Sequence, residues 1–176
     1  MSSCFRLQAV VETPHPQGEF ACPWNLQTLE PLSWIRLSSE MTEQEIGSIV
    51  AQLVQYDQLE FSEDSHLVLD RILTAESLIL PGGIQAILGD QTIDPSCCCG
   101  LETWRKWQAF LTTGNSPWLG HDPSPWVEAN HEQIRIWSDG GLGESTQNAL
   151  RIDVSRSTFR QAVQNVEQAL TVDFHE

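Results

Sequence analysis

The chain has 176 residues, a length suited to one domain of ordinary size that buries roughly two-thirds of its unfolded surface. It carries 24 acidic residues against nine Lys and Arg, a formal charge of −15, and 40% of its residues are apolar, with seven Trp and six Phe. So large an aromatic and apolar content excludes a mainly disordered chain, the charge argues against nucleic-acid and anionic-membrane partners, and no apolar run approaches the ~18 residues of a membrane span.

Met1-Ser2-Ser3-Cys4 leads straight into strand-like sequence without a signal-peptide pattern, so a cytoplasmic location is expected. The odd count of five Cys fits reduced thiols in a reducing compartment. Charge is uneven: between Glu40 and Asp70 there are eight acidic residues and no Lys or Arg.

Phe5, Leu7, Ala9 and Val11 alternate with Arg6, Gln8 and Val10, which predicts a half-buried strand. Residues 13–30, punctuated by prolines, read as a long loop pinned by Phe20 and Trp24, followed by a strand over Leu32 to Leu37. Thr42-x-x-Glu45 is a capping box that opens a helix over about 42–55. Ile46, Ile49, Val50 and Leu53 form its apolar repeat, and Glu43, Gln44 and Gln52 its outer face. His66 to Leu73 and Ser77 to Leu80 are short apolar runs that fit either helix or strand. Pro81-Gly82-Gly83 breaks the chain before a strand over Ile84 to Leu88, and Gly89-Asp90 turns into a short partner strand, Gln91 to Ile93.

Asp94-Pro95-Ser96 then leads into Cys97-Cys98-Cys99, and Leu101, Trp104, Trp107, Phe110 and Leu111 make a helical stripe that Gly114 ends. Residues 115–130 read as a second loop. Strands over Gln133 to Trp137 and Ala149 to Val154 flank a hairpin-like connection, Ser138 to Gly143. A last helix starts near Ser155 or Ser157 and buries Phe159, Ala162, Val163, Val166 and Leu170. Strands and helices mix without a βαβ repeat, so the expected fold is α+β: a single globular domain, residues 1–176, with a mostly antiparallel sheet and about three helices packed on it.

The cysteine run is the first candidate site. If Ser96 caps the helix, Cys97, Cys98 and Cys99 fill its first turn with side chains about 100° apart, and they cannot all face one ion unless the turn unwinds. Zinc sites pair spaced cysteines, and His121, Asp122 and His131 stand in no recognised spacing, so no metal site and no cofactor is assigned. A helix start favours thiolate, which makes Cys98 a candidate nucleophile with His121 as its base and Asp122 beside it. Alternatively, the three small side chains are a packing device, since cysteine is among the most buried residue types.

The second candidate is the loop Trp118 to Trp126, stiffened by Pro117, Pro123 and Pro125. It presents either Gly120-His121-Asp122 to a ligand between Trp118 and Trp126, or two tryptophans that anchor it to the core. Cys97 and Cys99 with these tryptophans are the ligand-pocket candidates. Gly140-Gly141-x-Gly143 lies between strands and lacks a lysine, which makes it a turn rather than a phosphate cradle.

Asp94-Pro95-Ser96-Cys97-Cys98-Cys99-Gly100-Leu101-Glu102-x-Trp104, continued by Trp118-Leu119-Gly120-His121-Asp122-Pro123-Ser124-Pro125, resembles an uncharacterised group of bacterial proteins over about a quarter of the chain. The resemblance implies that the cysteine turn and the His-Asp loop stand side by side, and it assigns no catalytic role.

Two functions follow from these residues. The first is an acidic cytosolic protein-interaction domain, an inhibitor or immunity-type protein for a basic toxin or nuclease, with Glu43, Asp57, Glu60, Glu63 and Asp64 as the contact face for a basic protein partner. The alternative is a small enzyme or a ligand- or metal-binding protein that uses Cys97 to Cys99 with His121 and Asp122.

Overall fold

Alternation of Phe5, Leu7 and Ala9 produces strand β1, Phe5–Glu12, and burial of both Val10 and Val11 covers its end on two faces. In the computed structural model, which describes residues 4–14, 22–27, 30 and 33–171, the further elements are β2 (Trp34–Arg36), α1 (Glu43–Tyr56), α2 (Ser65–Thr74), β3 (Gly82–Leu88) and β4 (Gln91–Ile93). A 3-10 turn at Leu101–Trp104 runs into α3 (Arg105–Thr113), followed by β5 (Trp126–Ala129), β6 (Gln133–Trp137), β7 (Arg151–Ser155) and α4 (Arg156–Leu170). The fold is α+β, with two antiparallel sheets of strand order β2-β1-β3-β4 and β5-β6-β7. Among the described residues four α-helices stand where about three were expected.

The chain divides into two compact units, one of residues 1–9 and 82–176, the other of residues 10–81. In the second unit the end of β1 pairs with β2 through Val10↔Arg36, Val11↔Ile35 and Glu12↔Trp34. The strand expected over Leu32 to Leu37 is shorter, and Leu32 and Phe20 lie outside the described residues. Trp24 does pin its loop: its indole N–H donates to the Gly47 carbonyl at 2.8 Å.

Helix α1 has the predicted capping box, with Glu45 N–H donating to Thr42 Oγ1 and Thr42 N–H donating to Glu45 Oε2. Its buried face differs from the expected one. Gly47, Ser48, Ala51, Gln52 and Val54 are buried, Gln52 among them although it reads as outward, while Ile46 is 47% exposed. Gly47 lets Trp24 approach this face closely, since a Cβ there would lie 2.6 Å from the Trp24 ring. The run His66 to Leu73 becomes α2, capped by Asp64, and Ser77 to Leu80 forms neither helix nor strand.

In the first unit the hairpin β3–β4 pairs Leu88↔Gln91 across the predicted Gly89-Asp90 turn. Helix α3 ends at Gly114, whose φ of 71° is the left-handed C-cap conformation that glycine adopts without strain. Ser155 caps α4 through Thr158 N–H, and Phe159 is fully buried among the rings of Phe5, Trp107 and Phe110. Strand β5 lies inside the segment expected to be loop. Trp126 opens it, stacks on Trp137 and pairs with it in register, and this cross-strand contact extends the sheet where the prolines of the sequence suggested none. No helix among the described residues is long and apolar enough to cross a membrane.

Candidate functional site

The cysteine run does not start a helix. Cys99 N–H donates to the Ser96 carbonyl at 3.2 Å, closing a tight turn, and Cys98 at its third position has φ 65°. Helical structure begins only at the 3-10 turn from Leu101, whose cap residue Gly100 offers no side chain. The helix-start reading of Cys97 to Cys99 is therefore corrected, and with it the helix-dipole argument for a thiolate.

The physical cause is competition from the second loop. Ser96 N–H donates to the Leu119 carbonyl at 2.7 Å, His121 N–H to the Cys97 carbonyl at 3.1 Å, and Ser96 Oγ to the His121 carbonyl at 2.8 Å. The Cys97 carbonyl would have accepted within the first turn of that helix, and Ser96 Oγ would have capped it. The approach requires Gly120: its φ is 102°, and a Cβ there would lie 2.5 Å from the Ser96 carbonyl carbon and oxygen. The cysteine turn and the His121 loop thus stand side by side, and Ser96, read from sequence as a helix cap, joins them instead.

The turn sorts the three cysteines by environment. Cys99 is buried, its thiol donates to the Trp118 carbonyl at 3.6 Å, and burial pushes its pKa up to about 11. Cys97 and Cys98 are exposed, with their Sγ atoms 3.0 Å apart. A hydrogen bond from Cys97 chiefly, and one from His121 next, hold the Cys98 thiol below the ordinary cysteine range, against the opposing charge of Asp122.

His121 Nδ1 is 2.9 Å from Asp122 Oδ2, and this bond first, then the one to Cys98, raises the imidazole above its usual range. Asp122 is, like Cys98, a non-glycine residue at positive φ, 57°. Two of the three such residues among those described therefore fall in this one site. Backbone in that region is costly for a side chain and persists where its surroundings impose it.

One ligand atom from each of Cys97, Cys98 and His121 lies within 4.8 Å of the other two, so these residues could hold a metal ion. His131 is exposed in the β5–β6 connection and does not join them. Trp118 flanks the site, its indole N–H donating to the Cys98 carbonyl at 3.3 Å and its ring 6.3 Å from that of His121. It also lines an adjoining groove of about 220 Å³ with Ser116, Ser124, Trp126 and Leu142. Trp126 thus borders the groove, while its indole N–H is held by the Asp139 carbonyl at 3.2 Å. Sequence reasoning missed Ser124, which donates through both N–H and Oγ to Asp139 Oδ1 and so anchors the end of the loop.

The predicted acidic contact residues lie in the unit of residues 10–81. Glu43 and Glu63 are exposed, whereas Asp57 accepts the Ile79 N–H, Glu60 pairs with Arg71 at 2.9 Å, and Asp64 caps α2.

No family model, curated protein or solved structure matches the chain.

Proposed function

We propose that the chain is a small thiol enzyme in which Cys98 attacks an electrophile, His121 accepts its proton, and Asp122 orients the imidazole. The observation that carries this reading is the position of Cys98: an exposed thiol occupies the left-handed corner of a tight turn, where glycine costs least, within 4.8 Å of a ring nitrogen of His121, whose imidazole is held by a carboxylate. A packing cysteine needs neither exposure nor a base. The groove beyond Trp118 gives the apolar part of a substrate a place to rest.

The test is residue-resolved alkylation of the metal-free protein with neutral iodoacetamide at pH 7. Exposed Cys4 serves as the reference thiol. Cys98 is expected to react at least tenfold faster than Cys4, Cys99 to stay unmodified until unfolding, and His121→Gln to remove the Cys98 advantage. Reaction of Cys98 at the rate of Cys4 sinks the reading.

A second reading, a protein-interaction domain, is supported by a separate observation. Ile46, Tyr56, Leu67, Leu69, Leu73 and Ile79, six of the eight large apolar residues exposed among those described, belong to the acidic unit of residues 10–81. Apolar residues among acidic ones suit a partner that is basic and amphipathic. Charge reversal at Glu43 and Glu63, which leaves the internal bonds of Asp57, Glu60 and Asp64 intact, should slow capture of such a partner at low salt. Unchanged association would remove this reading.

A further inference from the structure

A nucleophilic cysteine needs one thiol, yet this site aims two at the same point. Cys97 and Cys98 stand with their Sγ atoms 3.0 Å apart, and the His121 ring nitrogen lies within 4.8 Å of both. We propose that Cys97, Cys98 and His121 bind one thiophilic divalent ion of the zinc type, with Asp122 fixing the imidazole from outside the coordination shell.

The dimensions agree with such an ion. A tetrahedral centre with Zn–S of ~2.3 Å and Zn–N of ~2.0–2.1 Å sets its ligand atoms roughly 3.3–3.8 Å apart. The 3.0 Å between the two Sγ atoms and the 4.8 Å limit to the ring nitrogen bracket that spacing, and Cys97 and Cys98 are exposed. The backbone beneath them is already held, by the Ser96–Leu119 and His121–Cys97 hydrogen bonds.

Asp122 supplies the outer-shell partner that metal-bound histidines usually have. Its Oδ2 accepts from Nδ1, which leaves Nε2 with a lone pair for the ion. Two sulfurs and an imidazole select zinc-like ions over Mg²⁺ and Ca²⁺, which require oxygen. Three protein donors leave the fourth position for water or a ligand, beside the Trp118 ring. On binding, each thiol gives up its proton to solvent, and the neutral imidazole keeps its Nδ1 proton on the Asp122 side. The net charge of −15 concentrates cations near the surface.

This inference goes beyond the thiol-enzyme reading, because the Cys98 sulfur cannot be ligand and nucleophile at once. Metal occupancy would therefore silence the nucleophile.

The experiment is titration of the full, metal-free chain with Zn²⁺ against a chromogenic chelator and with Co²⁺ read by absorbance. Expected are one equivalent of metal, a thiolate-to-cobalt charge-transfer band, no competition from Mg²⁺ or Ca²⁺, and protection of Cys97 and Cys98 from iodoacetamide by Zn²⁺. Cys97→Ser and His121→Gln should each weaken binding at least tenfold, and Asp122→Asn by about tenfold.

Absence of the charge-transfer band overturns the proposal, as does equal affinity in the wild type and Cys97→Ser. If Cys97→Ser fails to fold, Cys98→Gly replaces it. That variant relaxes the turn and should lose the cobalt band, and a band that persists overturns the proposal. Metal binding combined with Cys98 reacting no faster than Cys4 would leave the metal site standing and the enzyme reading lost. Fast Cys98 alkylation that Zn²⁺ does not suppress would mean the reverse.

Discussion

At the residue scale, the three adjacent cysteines are chemically three different groups. Cys99 is buried and held protonated, Cys98 stands at a strained corner beside His121, and Cys97 touches Cys98 across 3.0 Å. The strain gives a direct test of whether Cys98 is kept for its thiol. Glycine relieves the left-handed conformation, whereas alanine retains it, so Cys98→Gly should be more stable than Cys98→Ala by about 1 kcal/mol in denaturant unfolding. Both should lose the reactive thiol. An alanine variant as stable as the glycine one would show that φ at this corner carries no cost. The presence of cysteines and of a His-Asp pair is legible in the sequence, but their division into buried and exposed thiols is not, because it depends on which way a single turn faces.

At the element scale, local signals located most of the structure. The capping box of α1, Gly114 at the end of α3 and Ser155 at the start of α4 act within a few residues of themselves, and each element sits close to where those residues place it. Long-range pairing escaped such reasoning. Strand β5 exists because Trp126 to Ala129 meet β6, and the cysteine turn exists because residues 119–121 take the hydrogen bonds of Ser96 and Cys97. Gly120 is the residue on which that pairing rests. Gly120→Ala forces a methyl group against the Ser96 carbonyl and strains φ, and it should cost about 2–4 kcal/mol in chemical denaturation. The same variant should separate His121 from the thiols and reduce Cys98 alkylation to the rate of Cys4. Retention of both stability and reactivity would mean that the loop holds itself in place without this bridge.

At the scale of the whole molecule, charge governs what can approach the site. A chain of formal charge −15 disfavours anionic reagents and accumulates cations, and salt screens both effects over a Debye length of about 10 Å at 0.1 M. An anionic aromatic disulfide should therefore react with Cys98 more slowly than a neutral disulfide of the same size at low ionic strength. The gap should close as salt is raised to several hundred millimolar in stopped-flow measurements. A salt-independent ratio would indicate that local geometry, not the field of the chain, controls access.

Composition, period and caps determined on their own that this is an acidic α+β protein, where α1 and α4 begin and α3 ends, and that the His-Asp pair lies in a loop. These depend on neighbours close in sequence and on the bulk balance of charged and apolar residues. Which face of α1 is buried, where β5 forms, and how Cys97, Cys98 and His121 come to share one point were decided only by tertiary structure. The reason is physical: backbone hydrogen-bonding groups accept whichever partner folding brings to them, and here the partner of Ser96 lies more than twenty residues away in the chain, at Leu119.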